Sequence, residues 1–332
     1  MTIFFPKYYN QFQCIAAACP DSCCKEWAVD VDPKAAAFYR ALPGALGDRL
    51  RSVLCDTEDG TIMTIEDGRC PMWQQDGLCR IQAELGHDAL CKTCREFPRL
   101  THDYGDFVEL GLELSCPEAA RLILTAQEHD TIAQELPGND APEYDTEAME
   151  ILLSSRNIVM EFLKNDRYSL PETLAIILLY GHSVQAQLDG GDVSCFDPEN
   201  CLTTAQANAK NGDMQAIFTF FSNLEILTNE WRTRLQSLPY PICWSSPLRN
   251  LMRYMVQRYW LQAISDYDLV CRVKLAIIAC LLVGSLGKNV IQTAQLFSKE
   301  IENDPDNVEA ILDGAYTSPA FTDVNLISLL LG

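Results

Sequence analysis

The sequence predicts a mainly α-helical protein, with a Cys-rich α+β domain at its N-terminus and an all-α helical domain behind it. Ten of the fifteen cysteines fall between residues 14 and 116. From residue 146 to 329, apolar side chains recur with helical spacing, with Gly and Pro breaks between the runs. The stretch 128–145 has no apolar period and contains several turn-forming residues. We therefore expect two domains, 1–127 and 146–332, joined by a linker over 128–145.

Short elements alternate with turns in the expected N-terminal domain. Its first helix is expected over 33–54, because Asp32 can cap a helix and Pro33 suits the first helical turn. Residues 103–106, Asp-Tyr-Gly-Asp, have the composition of a hairpin turn. The other expected elements are a strand over 61–65, helices over 79–85 and 88–95, short hairpin strands over 100–102 and 107–114, and a helix that opens with Cys116-Pro117.

The second domain is expected to be a bundle of helices. Its longest apolar run, Leu275–Val283, is about half the length needed to cross a bilayer and predicts a buried helix. Pro239 and Pro241 mark a sharp turn midway. The expected helices cover residues 146–165, 171–188, 203–236, 247–266, 268–285, 289–303 and 306–329.

The N-terminus, MTIFFPKYYN, predicts a cytoplasmic protein. Its apolar run is too short for a signal-peptide core and is closed by Pro6 and Lys7. Because the cytosol keeps thiols reduced, metal binding or catalysis explains fifteen cysteines better than disulfides do.

Charge excludes two classes of partner. The formal net charge is −21, from 25 basic and 46 acidic residues, and no block of Lys or Arg stands out. Nucleic acids and anionic membranes both select for such blocks, so we expect neither as a partner. An acidic surface would attract a lysine-bearing protein, although it also serves simply to keep a protein soluble.

Four thiols lie within eleven residues near the N-terminus, at gaps of four, three and zero. Thiolates are soft donors that suit iron–sulfur clusters and zinc, and a loop with this spacing can wrap one metal centre. A later pair has the spacing Cys-x-x-Cys, which is typical of a zinc half-site, a redox pair or a cluster ligand pair. The N-terminal domain is therefore expected to be metal-binding. Nine cysteines are candidate ligands of one centre or of two: Cys14, Cys19, Cys23, Cys24, Cys70, Cys79, Cys91, Cys94 and Cys116.

The other six cysteines lack motif spacing. Among the histidines, only His87, four residues before Cys91, has a spacing that could add it to the centre. Glycine-rich phosphate loops of the GxGxxG and GxxxxGK[ST] types are missing, which counts against the familiar nucleotide-binding folds. We expect the following six cysteines to pack as small apolar side chains: Cys55, Cys195, Cys201, Cys243, Cys271 and Cys280.

Residues 8–125 resemble the bacterial flagellin lysine-N-methylase family. The resemblance rests on four segments: YNQFQCIAAACPDSCCKEWAVDVD, CPMWQQDGLCRIQAELG, LCKTCREFPR and LELSCPEAARL. The same cysteine pattern is also similar to a broader family of small zinc- or iron-chelating Cys-cluster proteins. Because members of that broader family need not be methyltransferases, the resemblance is better evidence for the fold and for metal binding than for the activity.

The resemblance implies a protein lysine N-methyltransferase with S-adenosylmethionine as methyl donor, flagellin as the protein substrate and a cysteine-bound 4Fe-4S cluster. It also extends to a helix over 253–260, where Arg253, Tyr254 and Arg258 are candidates to bind the cofactor carboxylate; a solvated helix face is the alternative. The catalytic groups are unknown. Side chains that flank the first cysteine cluster are candidates to line a lysine slot, with a core or capping role as the alternative: Tyr9, Trp27, Asp30 and Asp32.

Two further interpretations compete with the methyltransferase. One is a metal-binding or electron-transfer module without enzymatic activity. The other is a structural zinc domain that scaffolds the helices and recruits a partner through its acidic surface. Binding of S-adenosylmethionine distinguishes the enzyme from both.

Overall fold

The computed structural model describes residues 1–128, 130–138, 141–142, 144–191 and 195–332. The protein is mainly helical, with two small sheets in its N-terminal part. Within the described ranges, no helix is both long and apolar enough to cross a membrane. Of the linker predicted over 128–145, four residues lie outside the described ones: His129, Asn139, Asp140 and Glu143.

The strands form a four-stranded and a three-stranded sheet. They are β1 (Thr2–Pro6), β2 (Val29–Val31), β3 (Leu54–Thr57), β4 (Gly60–Met63), β5 (Arg99–Asp103), β6 (Phe107–Leu112) and β7 (Thr131–Glu135). The larger sheet has the order β5-β6-β1-β7, with β1 parallel to β6 and antiparallel to β7. The smaller sheet has the order β2-β4-β3. The sequence predicted β4, β5 and β6 and missed the other four strands.

The predicted hairpin is confirmed. Strands β5 and β6 pair antiparallel, with Asp103 opposite Val108. Gly105 in the turn has φ +91°, a left-handed conformation that glycine adopts without steric cost. Its N–H donates to Asp103 Oδ1 at 2.9 Å. The turn chemistry that is visible in the sequence therefore sets this part of the fold.

Five helices belong to the N-terminal part: α1 (Pro33–Ala41), α2 (Gly44–Val53), α3 (Arg80–Leu85), α4 (Lys92–Glu96) and α5 (Pro117–Thr125). The cap on α1 is confirmed, because Asp32 accepts the N–H of Ala35 at 3.0 Å. The single helix expected over 33–54 is wrong. Leu42 is extended ahead of Pro43, since proline disfavours the helical conformation of the residue before it.

The C-terminal part is helical, as expected. Its helices are α6 (Thr146–Lys164), α7 (Leu170–Leu188), α8 (Pro198–Asn208), α9 (Met214–Ser222), α10 (Asn229–Leu235), α11 (Ser246–Tyr259), α12 (Val270–Leu286), α13 (Val290–Phe297), α14 (Pro305–Thr317) and α15 (Asp323–Leu331). A π-helical turn, Ser298–Glu302, continues α13.

Two of the long helices predicted in this part are wrong. The span 203–236 contains parts of three helices, because Asp213 and Thr228 each cap a new one by accepting a backbone N–H. The span 306–329 is divided between α14 and α15, with Pro319 between them.

Two cores organise the chain. The small core surrounds α1, α2 and β4, and includes Tyr39, Leu50, Cys70 and Cys91. The large core is formed mainly by α5–α15 and is crossed by α12, whose residues are all buried, as the apolar run predicted. It also contains Tyr8, so it extends on both sides of the predicted domain boundary. The division into 1–127, 128–145 and 146–332 stays a prediction.

The six cysteines without motif spacing were expected to pack as small apolar side chains, and this prediction is correct only in part. Cys271 and Cys280 are buried, as expected for an apolar helix. Cys201 is half-buried. The expectation is wrong for Cys55, Cys195 and Cys243, which are exposed because they lie on a solvent-facing strand or in connecting segments.

Candidate metal centre

Backbone pairing joins the first cysteine cluster to the segment around Cys70. The N–H of Cys70 donates to the carbonyl of Cys24 at 2.7 Å, and the N–H of Glu26 donates to the carbonyl of Gly68 at 2.9 Å. Glu26 adopts φ +78°, which is uncommon for a residue with a side chain. This pairing places Cys24 beside Cys70 although the two are far apart in sequence.

The segment from Cys70 to Cys79 folds back on itself and on the first cluster. The N–H of Arg80 donates to the carbonyl of Met72 at 2.7 Å, which returns Cys79 to the start of the segment. Gly77 has φ +82°, and a Cβ there would lie 3.4 Å from the backbone of Ala17. Glycine therefore allows both the turn and its close approach to the first cysteine loop.

Three of the predicted ligands are the N-cap residues of helices: Cys79 of α3, Cys91 of α4 and Cys116 of α5. Backbone N–H groups of the following turn point at these sulfur atoms. Free N–H groups at a helix start favour negative charge. Burial raises the pKa of Cys79 and Cys116, and these N–H groups oppose that rise.

The thiols contact one another in pairs. Cys24 interacts with both Cys23 and Cys70, and Cys91 interacts with Cys94. The interaction with Cys24 lowers the pKa of Cys23 and of Cys70 to about 7, and the interaction with Cys94 lowers the pKa of Cys91 to about 7. For the same reason the pKa values of Cys24 and Cys94 are raised.

Electrostatic interactions divide the nine predicted ligands into two groups. The inner group, linked by contact or by charge interaction, comprises Cys23, Cys24, Cys70, Cys79, Cys91 and Cys94. The outer group comprises Cys14, Cys19 and Cys116. Cys19 also interacts with Cys23, so the two groups adjoin.

A cavity of about 580 Å³ lies between these groups. Seven of the nine cysteines line it. The other two, Cys70 and Cys91, interact with the lining cysteines Cys24 and Cys94. Phe97, Arg95 and Arg99 also line it, together with His87, the histidine singled out by its spacing. The fold thus places seven of the predicted ligands at one cavity and the other two next to lining cysteines.

The thiols do not converge on one point as they stand. In the described part of the chain, no group of three or more His, Cys, Asp or Glu side chains is arranged to hold a metal ion. Their chemistry nevertheless fits a soft metal, because seven thiols line one cavity. Cys70 and Cys91, whose pKa values are lowered to about 7, interact with two of these lining thiols, Cys24 and Cys94. Binding of iron or zinc by these nine residues stays a prediction.

A group of charged side chains that contacts the first cysteine loop was not predicted from the sequence. Asp21 accepts from Lys25 at 2.8 Å and from Gln295 at 3.1 Å, and it pairs with the buried Lys299 at 3.2 Å. Burial raises the pKa of Asp21, but the hydrogen bond from Lys25 and the charge of Lys299 outweigh it and lower the pKa to about 2. The signal in the sequence was the charged run at 299–302 inside an otherwise apolar helical pattern.

The residues predicted to bind a cofactor carboxylate do not line the cavity. Arg253 is buried and donates to Asn250 Oδ1 at 2.7 Å and to the carbonyl of Leu163. Tyr254 accepts from Arg258 at 2.6 Å, and its hydroxyl donates to the buried Glu302. These polar groups are engaged inside the protein, and their assignment to a cofactor stays a prediction.

The four residues that flank the first cluster have separate surroundings. Asp32 is a helix cap, as the alternative predicted, and it also accepts the N–H of Lys92 at 2.7 Å. Asp30 is exposed on β2, and Tyr9 is half-buried against Phe5. Trp27 packs against the small core and lies under Lys299, whose Nζ is 5.2 Å from the ring centre.

The protein is thus a mainly helical chain with two small sheets and a cavity lined by seven cysteines. In an alignment of 137 positions that covers 37% of this chain, it is 33% identical to the flagellar biosynthetic protein FliU of Salmonella muenchen and covers 78% of that protein. It is 31% identical to the lysine-N-methylases of Salmonella typhimurium and Salmonella choleraesuis, and covers 33% of each. The chain belongs to the flagellin lysine-N-methylase family, as the sequence motifs predicted.

The chain therefore matches only about a third of the length of the two relatives that are named for an activity. No family model and no solved structure matches it.

Proposed function

We propose that the chain is a protein lysine N-methyltransferase that uses S-adenosylmethionine and holds a 4Fe-4S cluster among the cysteines of the cavity. The observation that supports this most is that seven cysteines line one cavity of about 580 Å³, with Cys70 and Cys91 beside them. The names of the relatives supply the reaction, and those names are lysine-N-methylase and flagellar biosynthetic protein.

The inner group is where we place the cluster. Four thiolates hold a 4Fe-4S cluster, and this group has six cysteines that contact one another or interact by charge. Its contacts occur between Cys24 and both Cys23 and Cys70, and between Cys91 and Cys94. When bound, the cluster supplies a compact centre that fixes three separate chain segments. Zinc on the same thiols is the alternative metal.

The remaining space suits an organic cofactor. Cavities of some hundreds of cubic ångströms hold ligands of this size, with a few polar groups among apolar walls. Arg95 and Arg99 offer positive charge for a carboxylate, and Phe97 offers a ring face. S-adenosylmethionine supplies the methyl group. The lysine nitrogen–carbon bond would form as the sulfonium sulfur–carbon bond breaks, S-adenosylhomocysteine would leave, and the nitrogen would release its proton to solvent.

What the chain itself contributes is orientation and exclusion of water. A lysine nitrogen must arrive neutral and in line with the methyl group, so the slot has to be dry and rigid. The cavity borders Cys116 and Phe12, which belong to the large core. A lysine side chain that enters the cavity would therefore be placed against packed, apolar walls.

The substrate that we propose is a protein with exposed lysines, and flagellin in particular. The name of the FliU relative points to the flagellum. The net charge of −21 favours the approach of a lysine-bearing surface. A cytoplasmic location, where a subunit can be modified before export, is part of the same proposal.

One observation favours a second candidate, a metal-binding module without enzymatic activity. The match to the two lysine-N-methylases stops at 37% of this chain. A structural or electron-transfer module would need the cysteines but no site for S-adenosylmethionine.

The deciding experiment is anaerobic purification followed by spectroscopy, metal and sulfide analysis, and calorimetry with S-adenosylmethionine. Iron with sulfide, broad absorption at about 400 nm from cluster charge transfer, binding heat and methylation of purified flagellin support the methyltransferase. Colourless protein that contains zinc and gives no binding heat supports the module and overturns the methyltransferase. The exposed Cys55→Ser is the matched control for Cys24→Ser, because Cys55 lies away from the cavity.

A further inference from the structure

Lys299 is a buried cation that reaches from the C-terminal helices to the first cysteine loop. Lys299 is only 3% exposed to solvent. Its Nζ lies 3.2 Å from Asp21 Oδ2 and also contacts Glu26 Oε2. Burying an ammonium group is costly unless it is paired, and these two carboxylates supply the pairing. Asp21 and Glu26 stand on either side of Cys23 and Cys24.

The turn that carries Lys299 is itself held from several sides. It is a π-helical turn, a rare conformation that is frequent at functional sites. Glu300 in this turn accepts the backbone N–H of Leu227 at 2.8 Å and that of Thr228 at 2.9 Å. Glu302 accepts from the hydroxyl of Tyr259 at 3.0 Å. These contacts fix where the ammonium group of Lys299 lies.

On the other side, the cysteine loop is strained at the residue that Lys299 binds. Glu26 has φ +78°, a left-handed conformation that is unfavourable for a residue with a side chain. Such conformations persist where the surroundings hold them in place. Gln295 donates both to Asp21 Oδ2 at 3.1 Å and to the carbonyl of Ser115 at 2.9 Å, next to Cys116. One helix face therefore holds two cysteine-bearing segments.

We propose that Lys299 is a positioning residue for the metal centre: by pairing with Asp21 and Glu26 it holds the loop over 19–26 in the shape that presents Cys23 and Cys24 to Cys70. This inference rests on the proposed metal-binding function. Thiolates that bind a metal bring further negative charge beside the two carboxylates. The ammonium group offsets that charge and keeps the loop from opening.

The test compares Lys299→Met with Lys288→Met, the same change at an exposed lysine, in the full chain. Two quantities are measured: the affinity for ferrous ion and for zinc, by chelator competition, and amide hydrogen exchange of the metal-free protein. We expect Lys299→Met to weaken metal binding by at least about tenfold, as loss of an outer support does. We also expect exchange over 19–27 to become faster while α12 stays protected. Lys288→Met should match the wild type in both.

Two further variants keep the test decisive. Glu26→Gln retains the Asp21 pair, so it should fold and lose about threefold in metal affinity, a smaller loss than an outer support causes. The combination of Lys299→Met with Asp21→Asn and Glu26→Gln removes all three charges and should recover part of the loss. Wild-type affinity and wild-type loop exchange in both Lys299→Met and Glu26→Gln would overturn the inference. If the wild type binds no metal, the proposed function fails, while loop exchange in metal-free protein still tests the role of Lys299.

Discussion

Cys24 and Cys70 are joined by a 2.7 Å backbone hydrogen bond from the N–H of Cys70 to the carbonyl of Cys24, and their thiols interact electrostatically. The backbone bond sets the distance between the two chain segments without any metal. A centre built here would be partly organised in advance, because the fold already holds two of its candidate ligands together.

Replacing Cys24 should therefore weaken metal binding more than replacing Cys55, a cysteine away from the cavity. For Cys24→Ser we expect metal affinity to fall by at least about tenfold, since serine is a poor soft donor. Iron and zinc content after anaerobic purification is the measurement. Cys55→Ser is the control and should keep the wild-type content. Equal content in the two variants would contradict a role for Cys24.

Asp32 should stabilise the fold through two backbone groups. Its carboxylate accepts the N–H of Ala35 at the start of α1 and the N–H of Lys92 beside Cys91. Loss of a helix cap costs about 1 kcal/mol, and the second bond adds to that. We expect Asp32→Ala to lower the free energy of unfolding by about 1–2 kcal/mol, measured by denaturant titration. Asp30→Ala, at an exposed neighbour, should change it by less than about 0.5 kcal/mol.

The carboxylate of Glu302 should be essential for the large core. It is buried and accepts from Tyr254 and Tyr259, and it pairs with Arg258 at 3.4 Å. Removing one partner of a buried pair leaves an uncompensated charge, at a cost of about 3–5 kcal/mol. We therefore expect Glu302→Ala to lower the free energy of unfolding by that amount in a thermal or denaturant scan.

The matched control is Glu309→Ala, at an exposed position of α14, where the expected change is within about 0.5 kcal/mol. Tyr254→Phe then tests the assignment of this cluster to a cofactor. If the cluster is structural, affinity for S-adenosylmethionine is unchanged and only stability falls. A tenfold loss of that affinity with unchanged stability would assign Tyr254 to the cofactor.

Asp323 should make stability depend on pH in the acidic range. Burial raises the pKa of Asp323, but contacts with His182 and Lys274 outweigh it and lower the pKa from its ordinary value of 3.8 to about 2. A lowered folded-state pKa adds stability above the unfolded-state pKa, and this stability is lost as pH falls through the folded-state pKa. The loss should therefore lie between about pH 4 and pH 2.

For Asp323→Asn we expect a free energy of unfolding lower by about 1 kcal/mol at pH 7, a modest value because the carboxylate is more than a third exposed. Between pH 4 and pH 2 the variant should lose less stability than the wild type. Asp313→Asn, at an exposed carboxylate of α14, is the control and should follow the wild type. Parallel curves for wild type and Asp323→Asn would contradict the prediction.

Local chemistry in the sequence correctly predicted several elements. Asp32 caps α1, Gly105 turns the hairpin, and the apolar run within α12 is buried. Each of these depends on residues within a turn or two of one another. The strand β1 was missed because its pairing partners, β6 and β7, lie far along the chain.

The sequence by itself determined that the chain is mainly helical, that cysteines with ligand spacing are concentrated in its first third, and which family it belongs to. Only the tertiary structure decided which of these cysteines are neighbours and that Lys299 pairs with Asp21 in their loop. The reason is physical. Caps, turns and periodicity act over a few residues, whereas these contacts depend on how separate elements pack, and packing is set by the shapes of side chains that are distant in sequence.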